Sequence, residues 1–173
     1  MSYKIFFAMK EIEIKAKIEE DISKKIIENN GIFLREVFQE DIYFEHPCKD
    51  FKKSDEALRL RKEENNFILT FKGKREEGKV KKREEIETKV EETIIEILER
   101  LGFKRMCIVR KKRKEFSLGN VKIFIDDVEN LGKFIEIEGS EEEIFKIIKI
   151  LGIKEYIKET YLELIMKQTL AQH

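Results

Sequence analysis

Tryptophan is absent from this chain of 173 residues, and proline, histidine and cysteine are scarce, with one, two and two copies. Two cysteines cannot build a disulfide framework, and Cys48 and Cys107 match no zinc spacing. Both are expected to be reduced, structural thiols of a cytoplasmic protein. His46 and His173 lack histidine or cysteine partners, so neither reads as a metal ligand or a catalytic base. Net charge is also missing: 36 basic residues balance 36 acidic ones. Long-range attraction to nucleic acid or to a membrane surface is therefore not expected. No apolar run approaches the ~20 residues that span a bilayer. The sequence has no glycine-rich phosphate loop and no nucleophile elbow.

The leader Met1–Ala8 carries a short apolar patch, Ile5-Phe6-Phe7, too small for a signal-peptide core and without a small-residue cleavage site. Residues 1–8 are read as a disordered extension, and residues 9–173 as one domain, long enough to bury a core. Charged residues make up 42% of the chain and are mostly lysine and glutamate, a composition that resembles thermophile proteins.

What the chain has in abundance is alternation. Glu-Ile-Glu occurs at Glu11-Ile12-Glu13, Glu85-Ile86-Glu87 and Glu136-Ile137-Glu138. In a strand, neighbouring side chains point to opposite faces, so each copy puts two carboxylates on one face and isoleucine on the other. The same period marks strands near 9–18, 33–45, 57–63, 67–74, 81–90, 104–116, 121–127 and 133–138. Helical patterns fall near 21–30, 91–101, 140–151 and 160–170. Ser140 and Glu143 form a capping box. Gly31, Gly102 and Gly152 follow apolar-periodic stretches, where left-handed helix caps belong.

Laid side by side, the two halves match weakly. Glu11-Ile12-Glu13-Ile14-Lys15 resembles Glu85-Ile86-Glu87-Thr88-Lys89, and in each half a helix and three strands follow. Two β-α-β-β-β units make eight mostly antiparallel strands, enough to close a barrel around side chains or one small ligand.

On the expected faces Glu11 and Glu13 lie beside Lys15, Arg59 beside Arg61, Thr70 beside Lys72, and Arg83 beside Glu85. Lys111 lies beside Arg113, Glu136 beside Glu138, Asp126 beside Phe124, and Asp41 beside Gln39 and Tyr43. A solvated sheet face is one reading of this pattern. The other follows from the helices, which need the apolar face, so that a closed sheet has a charged lumen. An unpaired buried charge costs several kcal/mol (roughly). Alternating acids and bases relieve part of that cost, and a bound polyanion with a divalent cation relieves more. Arginine and lysine suit phosphate oxygens, while aspartate and glutamate suit Mg²⁺ or Mn²⁺ better than zinc. Lys111-Lys112-Arg113-Lys114 alternates along a strand and has no interleaved aromatics, so it is not read as a nucleic-acid patch.

These residues resemble the CYTH superfamily, which groups class IV adenylyl cyclases with thiamine triphosphatases and inorganic triphosphatases. Glu11-x-Glu13-x-Lys15 is similar to its signature. Further matches follow in order over about residues 9–165: Asp41-Ile42-Tyr43, Leu58-Arg59-Leu60-Arg61, Thr70-Phe71-Lys72-Gly73, Arg83-Glu84-Glu85, Lys111-Lys112-Arg113, Ile125-Asp126-Asp127 and Leu131–Glu138. His46-Pro47 and Asp50-Phe51, followed by Asp55–Arg59, look most like the cyclase-type branch. The resemblance implies an α+β fold, an eight-stranded antiparallel tunnel with helices outside, acting on a triphosphate such as ATP or tripolyphosphate. It implies Glu11, Glu13, Glu136 and Glu138 as ligands of Mg²⁺ or Mn²⁺, with Glu85 and Asp126 nearby. It makes Lys15, Arg59, Arg61, Lys72, Arg83, Lys111 and Arg113 the phosphate clamp, and puts Glu13, Lys15 and Arg113 at the catalytic centre. Cyclisation, triphosphate hydrolysis and non-catalytic binding all remain open, and the apolar strand faces and last helix offer surface for a homodimer.

Overall fold

The structure is a computed structural model that describes residues 9–171; the expectation for residues 1–8 falls outside them. The first half comprises β1 (Met9–Lys17), α1 (Ser23–Glu28), β2 (Ile32–Glu45), α2 (Phe51–Ser54), β3 (Ala57–Glu63) and β4 (Asn66–Lys72). The second comprises β5 (Lys81–Val90), α3 (Ile94–Arg100), β6 (Lys104–Leu118), β7 (Val121–Val128) and β8 (Gly132–Glu138), followed by α4 (Glu141–Leu151) and α5 (Tyr161–Ala171). The strands close into a barrel in the order β1-β5-β4-β3-β2-β6-β7-β8. Every neighbouring pair is antiparallel.

Exchanging β1–β4 with β5–β8 maps this strand order onto itself. Each half contributes a three-stranded meander, and the halves meet at β1–β5, β4–β5, β2–β6 and β1–β8. The weak sequence repeat thus corresponds to a two-fold symmetry of the topology.

The alternation explains how the barrel packs. On β8 the isoleucines Ile135 and Ile137 point outward with no exposed surface. With Ile14, Ala16, Ile123 and Ile125 they meet Ile144, Ile147, Ile148 and Leu151 of α4, and Ile26 of α1. Burying each such side chain contributes about 1.5–3 kcal/mol. A second outer core sets Ile42, Phe44 and Leu60 against Leu98 of α3. At one end of the barrel Tyr43, Val109, Val128, Leu131 and Phe134 gather around Tyr161 of α5.

Ser140 caps α4 as its motif predicts, accepting from the Glu143 amide, and Gly152 ends that helix at φ 67°. Gly102 is also left-handed after α3, but after α1 it is Asn30 that takes positive φ. Gly31 is needed for another reason: a Cβ there would lie 2.4 Å from Ile26 Cγ2 and 2.7 Å from the Ile26 carbonyl oxygen. Helix α2 was not anticipated, because one turn is too short to show a period. Asp50 caps it through the Lys53 amide. Among the described residues no helix is long and apolar enough to cross a membrane.

Candidate functional site

The inward faces of the strands enclose a cavity of about 1070 Å³. Of the residues expected to face it, Glu11, Glu13, Lys15, Arg59, Arg61, Lys72, Arg83, Glu85, Lys111, Arg113, Glu136 and Glu138 line it. Asp126 lies behind this lining, with no exposed surface of its own, bound to two of the lining cations. The solvated-face reading is therefore ruled out for these strands: the charges are inside.

Strand direction gives the tunnel a polarity. Towards the α5 end lie Lys15, Lys72, Lys81, Lys111 and Arg59. Glu63, Glu87, Glu115 and Glu138 lie towards the opposite mouth.

The carboxylates divide into two groups. Asp126 accepts from Arg113 Nε at 2.7 Å, from Lys111 Nζ at 2.9 Å and from the Tyr161 hydroxyl at 2.8 Å. Glu136 pairs with Arg113 and lies 3.2 Å from Lys15 Nζ. Glu85 accepts from Lys72 Nζ at 2.5 Å and from Arg83 Nε at 2.8 Å. In all three, burial opposes the charge; the adjacent cations outweigh it at Asp126 and Glu136, and at Glu85 a hydrogen bond with Glu11, followed by Lys72 and Arg83, does so, which holds each group ionised.

Glu11, Glu13 and Glu138 form the other group, with one carboxylate oxygen from each lying within 4.8 Å of the others. Burial pushes Glu11 up to about 9, and the charge of Glu13 adds to it. Glu138 is raised by burial and then by Glu13 and Glu136. Burial opposes ionisation of Glu13 as well, but Lys81 prevails and keeps it below the ordinary carboxylate range. Three converging, mutually repelling oxygen donors are a site that a hard divalent cation would stabilise, so the donor set fits Mg²⁺ or Mn²⁺.

The cations are strained in the opposite sense. Burial, then neighbouring arginines, lowers Lys72 to about 7, while burial and Arg113 lower Lys111 to about 8. Arg61 holds Asp41 in a fork at 2.7 and 2.8 Å, and Arg59 donates to Thr70 Oγ1 at 2.9 Å. The Arg59 Nε is buried without a partner. Cationic donors converging on an enclosed space in this way are suited to a polyanion.

A family profile described as the CYTH domain matches residues 9–161. This chain belongs to the CYTH family. Among its relatives is a Methanocaldococcus jannaschii protein named "Putative adenylate cyclase MJ0240", 40% identical over 90% of this chain and 98% of its own. The solved structure of the PH1819 protein from Pyrococcus horikoshii is 39% identical, with a TM-score of 0.82, covering 91% of this chain and 99% of that one. The fold extends to a Hippeastrum protein named "Putative adenylyl cyclase HpAC1", 18% identical at a TM-score of 0.71 over 91% and 96% of the two chains, and described as revealing a dominant triphosphatase activity.

Lys81 and Tyr161 are among the residues of this CYTH tunnel that escaped the sequence reading. Lys81 donates to Glu13, and its alternation with Arg83 and Glu85 was a sufficient signal. Tyr161 enters from a helix outside the barrel, which strand periodicity cannot report. The only local hint is the capping box of Thr160 and Glu163, whose amides each bond the other's side chain.

Proposed function

We propose that this chain is a divalent-metal-dependent enzyme acting on triphosphates, and that its reaction is the conversion of ATP to cyclic AMP and pyrophosphate. The observation that carries the first part is the pairing, in one enclosed cavity, of the Glu11, Glu13 and Glu138 cluster with a belt of seven buried or half-buried lysines and arginines. The similarity to the M. jannaschii protein supports the second part.

Glu11, Glu13 and Glu138 would hold Mg²⁺ or Mn²⁺, whose charge would offset that building on the phosphate oxygens. Lys15, Arg59, Arg61, Lys72, Arg83, Lys111 and Arg113 bind and orient the triphosphate for in-line displacement, which is most of what phosphoryl chemistry requires of a protein. Glu13, kept ionised by Lys81, serves as acceptor of the nucleophile's proton. Glu85, Glu136 and Asp126 position the clamp by pairing with Lys72, Arg83, Lys15, Lys111 and Arg113.

Hydrolysis of tripolyphosphate or of an organic triphosphate is the second reading. It is favoured by the lining itself, in which the fixed donors address phosphate oxygens and the mouth opposite α5 carries Glu63, Glu87 and Glu115. Product analysis with Mg²⁺ or Mn²⁺ decides between them. Cyclic AMP and pyrophosphate from ATP establish the cyclase. Free phosphate without cyclic product establishes the triphosphatase. Binding of both substrates with no product from either refutes catalysis and leaves a binding module.

A further inference from the structure

Among the described residues two buried side-chain polar atoms lack a hydrogen-bond partner, Arg59 Nε and Gln39 Oε1. Both residues line the tunnel, and the two atoms are opposite in kind. The Arg59 Nε is a donor, and a phosphate oxygen would satisfy it. The Gln39 Oε1 is an acceptor, which no phosphate oxygen can satisfy.

A side-chain amide can exchange its oxygen and nitrogen by a half-turn, but Glu63 fixes this one. Gln39 Nε2 donates to Glu63 Oε2 at 2.7 Å, while Arg35 holds Glu63 Oε1 at 2.6 Å. Burial opposes the charge of Glu63, but Gln39 and then Arg35 outweigh it and keep the group below the ordinary carboxylate range. An ionised carboxylate only accepts, so the turned amide would set oxygen against oxygen. The Gln39 oxygen is therefore left for another partner, on a residue that is 2% exposed. Lys111 is opposite Gln39 on β6, but its ammonium is committed to Asp126 at 2.9 Å.

Position along the strands gives this acceptor a meaning. Asp41 is paired with Arg61 across β2 and β3, and the next inward pair is Gln39 with Glu63. Towards the glutamate-rimmed mouth, then, cationic donors give way to acceptors at this pair. A phosphate oxygen placed there would face other oxygens. A group carrying O–H or N–H would instead complete a hydrogen bond that the protein leaves unmade, and a buried acceptor gains most from such a partner.

We infer that Gln39 is a specificity-determining residue that reads a neutral hydroxyl or amino group on the organic part of the substrate. A sugar hydroxyl and a base amine share this chemistry. Metal-bound inorganic triphosphate offers acceptors only and cannot make the contact. The inference rests on the proposed triphosphate site and deepens it, selecting nucleoside triphosphates over inorganic triphosphate by one fixed oxygen.

The test is binding to the intact chain with Mg²⁺ present, by calorimetry or competition. The ligands are ATP, 2′-deoxy-ATP, 3′-deoxy-ATP, purine riboside triphosphate (which lacks the amino group) and tripolyphosphate. In the wild-type chain at least one of the three analogues should bind at least about fivefold more weakly than ATP, and it identifies the donor. Gln39→Met keeps the length of the side chain and removes the acceptor. It should bring ATP down to the affinity of that analogue and leave the analogue and tripolyphosphate unchanged. Gln39→Leu takes its place if circular dichroism shows the methionine variant unfolded. Equal binding of ATP and all three analogues to the wild-type chain overturns the inference. Discrimination that persists in the variant, or an equal loss of ATP and tripolyphosphate there, overturns the assignment to Gln39. Failure of both ATP and tripolyphosphate to bind the wild-type chain refutes instead the triphosphate site beneath it.

Discussion

Glu136 and Glu138 are two residues apart on β8 and face the same lumen, yet their surroundings assign them different work. Glu136 is held ionised between Arg113 and Lys15, while Glu138 crowds Glu11 and Glu13. Substituting glutamine at Glu11, Glu13 or Glu138 should weaken Mn²⁺ binding and lower metal-dependent turnover by about a hundredfold or more, with the fold intact. Metal titration followed by steady-state assay measures both effects. Asp126→Asn should leave Mn²⁺ affinity near wild type and instead lower the unfolding temperature. It strips the completely buried partner from Arg113 and Lys111, and breaking such a pair costs about 3–5 kcal/mol. A wild-type melting curve for Asp126→Asn, or unchanged Mn²⁺ binding in all three glutamate variants, would sink this division. Lys111→Ala should raise the dissociation constant for triphosphate, measured at fixed metal concentration.

At the scale of the element, each strand shows in its own residues which side chains turn inward. Arg59 and Arg61, or Lys111 and Arg113, are separated by two and share a face whatever the rest of the chain does. Which carboxylate each cation meets is a different matter. The stagger between strands sets Lys81 beside Glu13 and Lys72 beside Glu85, and the alternation within a single strand does not report it. The six expected metal carboxylates could therefore be recognised as inward residues but not sorted into a cluster and a set of ion-paired supports. Helix α5 was visible as a helix, whereas its position across the tunnel end was not, since Arg75 fixes it from a loop between β4 and β5. Arg75→Ala should speed hydrogen exchange over residues 157–165 and leave α4 protected. The contrasting change, Ile144→Ala, removes a fully buried side chain between α4 and the barrel. It should cost about 2–5 kcal/mol in chemical denaturation.

Seen as a whole, the tunnel holds protons and charges in an arrangement that its ligands should reverse. Glu11, raised to about 9, is protonated near neutrality, so metal binding should release a proton over the window from the ordinary glutamate value up to about 9. Lys72 and Lys111, lowered to about 7 and about 8, are partly neutral in the same range. A polyanion restores their charge, so triphosphate binding should take up protons and weaken as pH rises past about 8. Calorimetry in buffers of different ionisation enthalpy should give opposite signs for the two ligands, and equal signs would refute this electrostatic picture.

The strand order carries a consequence for synthesis. Glu11 and Glu13 belong to the first strand and Glu138 to the eighth, and the pairing of β1 with β8 brings the three together. A ribosome must deliver nearly the whole barrel before those carboxylates can meet. Until then a nascent chain has strand edges but no metal cluster, so metal capture would report that the last seam has shut.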